Sequence, residues 1–210
     1  MPNECNNTLT IVGDETELAS FFKKVSDVRL IQDEKVKFSI MENLFPCPEE
    51  LSGLPANFTK RPEMIEKYGA SDWYGWCNHN WGTKWGDYDV SLVHKSNKQV
   101  AFSYTTAWSP MTEGLVNISK QFPNLVFVNF FEEGGMGFVG ITVIQDGNML
   151  TSIDSEYPSF DVDDDESNYD EAYEKQAEEL CTISDRMYEQ AILAVPADFQ
   201  EALREKVGAS

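Results

Sequence analysis

Basic residues are scarce in this chain. Among 210 residues, 16 Lys and Arg stand against 36 Asp and Glu, a formal charge of −20. Nonspecific affinity for nucleic acid comes from counterions released by Lys and Arg. The average field here repels a polyanion, and no run of bases offsets it, which argues against direct nucleic-acid binding. Histidine is nearly absent: only His79 and His94 occur. The four cysteines, Cys5, Cys47, Cys77 and Cys181, include no Cys-x-x-Cys pair. Disulfide scaffolds are denser and zinc sites use close pairs, so reduced thiols in the cytoplasm are the expected state. There is no run of 18 apolar residues to span a membrane. The start, "MPNECNNTLTIVG", lacks the basic-then-apolar order of a signal peptide. Without that signal, the glycosylation-like triplets at Asn6, Asn57 and Asn117 read as chance. No Gly-x-Ser-x-Gly, His-Glu-x-x-His or phosphate-loop motif is present, and no cofactor or metal is expected.

Core-forming residues are plentiful. Apolar residues make up 41% of the chain, with thirteen Phe and eight Tyr. That excludes global disorder and fits one large domain or one domain with an appendage. "TLTIVG" (8–13) reads as a strand. Asp14 then caps a helix over 15–25, with Glu17 placed for a capping box and Leu18, Phe21, Phe22 and Val25 on one face. "KVKFSIMENLFPCP" (35–48) reads as a second strand, closing a β-α-β unit. Residues 49–72 read as an insertion holding a short helix, "PEMIEKYG".

The second half reads β-β-α-β-β. Residues 88–94 and 98–108 alternate around the turn "KSNK", placing Val90 and Leu92 on one face with Val100, Phe102 and Tyr104. Ser109 and Pro110 mark a helix start, with Leu115, Ile118 and Phe122 on its apolar side and Pro123 after it. Residues 125–154 give three strands, joined by a glycine turn and by "DGN". Two such halves on one sheet predict an α+β, ferredoxin-like antiparallel sheet with helices on one face. The expected domain is 1–153, with its insertion at about 49–86.

Residues 154–210 read as an acidic linker and helical tail. From 154 to 190 there are fourteen acids against Lys175 and Arg186, a net of −12. Tyr173, Ala177, Leu180, Ile183 and Met187 recur at helical spacing, and Pro196 opens a last short helix. Asp161, Asp163, Asp164, Asp165, Glu166, Asp170 and Glu171 are the candidate partner-binding residues. A basic protein surface would gain association rate from their field. "DVDDDES" starts like a calcium loop, but Glu166 and Ala172 occupy positions that require Gly and Glu.

The tryptophans are clustered. Trp73, Trp76, Trp81 and Trp85 fall within "WYGWCNHNWGTKWG", and Trp108 follows. The stretch reads as the crossover between sheet halves, with Gly82 allowing close approach. Buried packing of Trp81, Trp85 and Trp108 is favoured over base stacking, because only Lys84 and Lys95 lie nearby. Cys77 and His79 offer a nucleophile pair only if a third group orients them. "GGMGFVG" carries the bare Gly-x-Gly-x-x-Gly pattern, but β-rich "ITVIQ" follows where a helix is required. A hairpin is therefore the better reading.

Four segments in order, "MPNECNNTLTIVGD", "NWGTKWG" (80–86), "FSYTTAWSPM" (102–111) and "FPNLVFVNFFEEGGMGFVG" (122–140), resemble the YubB ferredoxin-like family. Its members are small proteins of plasmids, bacteriophages and their bacterial hosts. The resemblance covers Met1 to about Ile153 and implies a fold and a mobile-element setting, not a reaction, so no catalytic residue is carried over. The family commonly begins Pro-Asn-Trp-Cys, and Glu4 stands in place of that Trp. The expected function is that of a non-catalytic acidic binding protein engaging a basic surface of a host protein, as a nucleic-acid mimic or anti-defence factor. The alternative is a small-ligand binder or enzyme using a Trp-lined cleft around Cys77 and His79.

Overall fold

Strand β1 (Glu4–Val12) lies between two partners and is antiparallel to both, β5 (Gln99–Ala107) and β6 (Val126–Glu133). Outside β5 runs β4 (Tyr88–Lys95), and outside β6 run β7 (Phe138–Gln145) and β8 (Asn148–Glu156). One six-stranded sheet results, in the order β4-β5-β1-β6-β7-β8. This computed structural model describes residues 3–27, 37–56, 59–160, 162 and 168–204.

The first four strands carry the ferredoxin-like arrangement. β4 opposes β5, which opposes β1, so β4 and β1 run in the same direction with helix α1 (Glu15–Val25) between them in sequence. β5, helix α6 (Thr112–Ser119) and β6 form the second β-α-β half. Asp14 caps α1 as its residue type predicts, accepting from the amides of Thr16 and Glu17. Glu17 turns its carboxylate to the Asn124 side chain instead of closing a capping box.

Residues 37–48 do not supply the second strand; 35 and 36 lie outside the described residues. Lys37–Phe38 (β3) pairs only with Ser26–Asp27 (β2), in a separate two-stranded ladder. The apolar run then turns into a four-residue helix, α2 (Met41–Leu44). Asp87 anchors that turn: its carboxylate accepts from the amides of Ile40 at 2.8 Å and Met41 at 2.7 Å. The first β-α-β half therefore closes only at β4. The connection between includes α3 (Glu49–Ser52), α4 (Pro62–Tyr68) and α5 (Trp73–Asn80). The tryptophan stretch lies within this half, not between halves; the halves meet at the β4–β5 turn.

Two further expectations shift by a few residues. α6 starts at Thr112, because the Ser109 hydroxyl that could have capped it donates to the Gly82 carbonyl at 2.7 Å. Leu92 is exposed, because β4 slips register twice against β5 and the alternation breaks there.

Helices pack on both faces of the sheet. On one face α1 and α6 pack Leu18, Phe21, Val25, Leu115 and Ile118 against Leu9, Ile11, Phe102 and Phe127. On the other lie α7 (Tyr169–Ala194) and α8 (Ala197–Arg204). Met187, Ala191, Ile192 and Leu203 cover Val126, Val128, Val139, Ile141 and Val143. The two described helices of the acidic tail thus form a packed layer. Its apolar stripe matches expectation from Leu180 onward but is one residue off before it: Ala172 is buried, while Tyr173 and Ala177 are exposed. Steps of four back from Leu180 reach Gln176 and Ala172. Gln176 is held there by donating to the Pro158 carbonyl at 2.8 Å.

Candidate functional site

Among the described residues, the second layer of helices stops short of β4, β5 and the start of β1. Alternate residues of these strands face the uncovered surface, and their cross-strand register places them in two rows. One row reads Glu132, Asn6, Thr105 and Tyr88 across β6, β1, β5 and β4. The next reads Phe130, Thr8, Ser103 and Ser91. Between Tyr88 and Ser91 the register slips, and Asp89 takes a left-handed backbone, φ +53. Asp and Asn tolerate this conformation better than other non-glycine residues.

Asn6, Thr8, Asp89, Ser103, Thr105, Phe130 and Glu132 line a groove of about 340 Å³, and among the described residues no Lys or Arg lines it. Burial pushes the Glu132 carboxyl above the usual range, while a hydrogen bond with the Asn6 side chain favours its charged form. Phe130 forms a wall by stacking on Tyr188 of α7, whose phenol burial raises to about 12. Behind the groove, on the reverse face, a buried network stiffens the floor. Tyr104 donates to Asn129, Asn129 to Asn7, and Asn7 to Thr106. The signal for this groove is polar alternation, Asn6/Thr8 and Ser103/Thr105, on strands whose other face is apolar or buried.

The aromatic cluster divides in two. Trp76 and Trp81 are buried, edge to face at 5.6 Å, and Trp81 Nε1 donates to the Phe45 carbonyl at 2.9 Å. Trp73 is half-buried against Tyr74. Trp85 and Trp108 are also half-buried, not sealed as expected. The Lys84 ammonium lies 4.6 Å from the Trp85 ring and 4.9 Å from the Trp108 ring. That ammonium keeps a hydrated head, which holds both indoles near solvent. Trp108 itself has φ +69, a strained backbone for a bulky residue.

Cys77 and His79 do not converge. Cys77 is buried, and burial followed by the neighbouring Cys47 thiol pushes its own thiol well above the ordinary value. His79, two residues along the same helix, is exposed. Asp170 and Glu171 are exposed in the first turn of α7. Asp161, Asp163, Asp164, Asp165 and Glu166 lie outside the described residues. Among the described residues, no group of three or more His, Cys, Asp or Glu is placed to hold a metal ion. No helix among them is long and apolar enough to cross a membrane.

Residues 80–181, from the end of α5 to the middle of α7, match the family model of the ferredoxin-like domain in Api92-like protein. The chain is also similar to the crystal structure of protein Api92 from Yersinia pseudotuberculosis. Identity is 10% and the TM-score 0.48, over 76% of this chain and 99% of that one. No curated protein matches the chain.

Proposed function

We propose that this chain is a non-catalytic binding protein of a mobile genetic element, phage or plasmid, and that it engages a basic surface of a host protein. The setting rests on the resemblance to the YubB family. The binding role rests on one observation: α7 docks by its apolar stripe and holds seven exposed acids, from Asp170 to Glu189, on its outer side. At 1.5 Å per residue its 26 residues span about 39 Å. Carboxylates fixed on a docked helix lose little freedom on binding, and their field steers a basic partner. Tyr169 and Tyr173 stand exposed among them, the residue type that anchors interfaces. In this role the acidic face acts as a nucleic-acid mimic or anti-defence factor. The thiol-based alternative has less support, because the Cys77 thiolate that it needs is disfavoured by burial.

The test compares the full chain with a variant carrying Asp170→Asn, Glu171→Gln, Glu174→Gln and Glu178→Gln. Capture from a bacterial lysate at low and high salt should return the same identified basic protein with the full chain only, and only at low salt. Equal capture by the folded variant sinks the reading.

A further inference from the structure

We propose that the groove across β4, β5, β1 and β6 binds a linear organic polyammonium ion, a ligand of the polyamine class. Glu132 stands at one end of the first cross-strand row, and Asp89 follows Tyr88 in the register slip at the other end, on strands three steps apart. Strand spacing puts those strands about 14 Å apart. Between them the floor offers neutral oxygens from Asn6, Thr105 and Ser103, which can accept from internal ammonium groups. Phe130 also lines the groove, and an aromatic ring attracts a cation.

The lining excludes other ligand classes. An anion would meet two carboxylates and, among the described lining residues, no base. A neutral polyol would find hydroxyl partners but leave the half-buried Glu132 charge uncompensated, which is costly. A ligand with an ammonium at each end meets both carboxylates at once. The volume, about 340 Å³, suits a chain of this kind and lies at the small end of ligand sites. The site is separate from the outer face of α7, so it stands or falls apart from the proposed partner binding.

The experiment is calorimetric titration of the full chain with spermidine, next to magnesium chloride, glucose and N-acetyl-lysine amide. Saturable one-to-one binding of spermidine is expected, with magnesium and glucose giving none at this site. N-acetyl-lysine amide, presenting one ammonium as a partner's side chain would, should bind more weakly because it can reach only one carboxylate. Glu132→Gln and Asp89→Asn should each weaken spermidine about tenfold, the worth of one charge-assisted hydrogen bond. The four-acid α7 variant should bind it unchanged. Where a groove variant does not fold, spermidine-induced amide shifts in the wild-type NMR spectrum decide: they should centre on Asn6 and Thr105. Equal displacement by magnesium, equal affinity for N-acetyl-lysine amide, or shifts confined to α7 would overturn the assignment.

Discussion

The Phe130 ring on β6 stacks on the Tyr188 ring of α7, with centroids 5.8 Å apart and planes 23° from parallel. This contact helps hold the acidic helix to the sheet and walls the groove. Around it Met187 and Ile192 cover Val128, Ile141 and Val143. Tyr188→Ala removes the aromatic and leaves a gap at the edge of this layer. It should cost about 3 kcal/mol, at the lower end for losing a large aromatic. Urea denaturation measures it. An unchanged midpoint would mean that the aliphatic contacts alone dock the helix.

The tryptophans should respond unequally. Trp81 is 2% exposed and donates to the Phe45 carbonyl, so Trp81→Ala should cost about 3–5 kcal/mol. Trp85 is half-buried under Lys84, and Trp85→Ala should cost about 1–2 kcal/mol, within the ordinary range for single mutations. Thermal melts rank the two. A larger loss at Trp85 would move the centre of the cluster to its solvent side.

Asp87 gives a signed pH dependence. Burial raises its carboxyl above the ordinary value, against the amides of Met41 and Ile40 that favour its charged form. The folded chain therefore holds this proton more tightly than the unfolded chain. The resulting stability is complete below the unfolded value, about 3.9, and is lost as pH rises through the folded value. Asp87→Asn has one acceptor oxygen for two amides and should be less stable by about 1–3 kcal/mol. The gap between wild type and variant should narrow as pH rises from about 4, since the amide does not titrate. Urea titrations across that range check the sign; a widening gap would mean that the amide bonds outweigh burial.

Gly140 should not tolerate a side chain. A Cβ there would lie 2.5 Å from the Phe131 ring and 2.9 Å from the Ile153 carbonyl. Phe131 is its cross-strand partner on β6, and its ring lies over the glycine. The ring can turn, but the carbonyl belongs to the β8 backbone and cannot move without breaking the ladder. Gly140→Ala should cost about 2–3 kcal/mol, the upper range for overpacking. A melting temperature equal to wild type would show that the strand can shift.

Much of the second half was legible because its signals are local. Alternation in 99–107 and 126–145, the turn residues between strands, and the apolar side of 112–119 each follow from a few neighbouring residues. The segment 35–48 misled because its apolar residues suit a strand or a short helix equally. The choice fell to Asp87, more than forty residues away, which binds the amides at 40 and 41. Ser109 misled in the same way, since its hydroxyl serves Gly82 and not the helix that follows.

By itself the sequence determined most strands of the sheet, the helices 15–25 and 112–119, and the amphipathic character of the tail. Those properties are carried by side-chain chemistry and period, which are fixed before the chain folds. Only the tertiary structure decided that β4 and not residues 35–48 completes the first half, and that α7 packs on the face opposite α1 and α6. It also decided that Asn6, Thr105, Asp89 and Glu132 share one groove. Each of these depends on register between strands distant in sequence, and a one-residue slip would send every side chain to the other face.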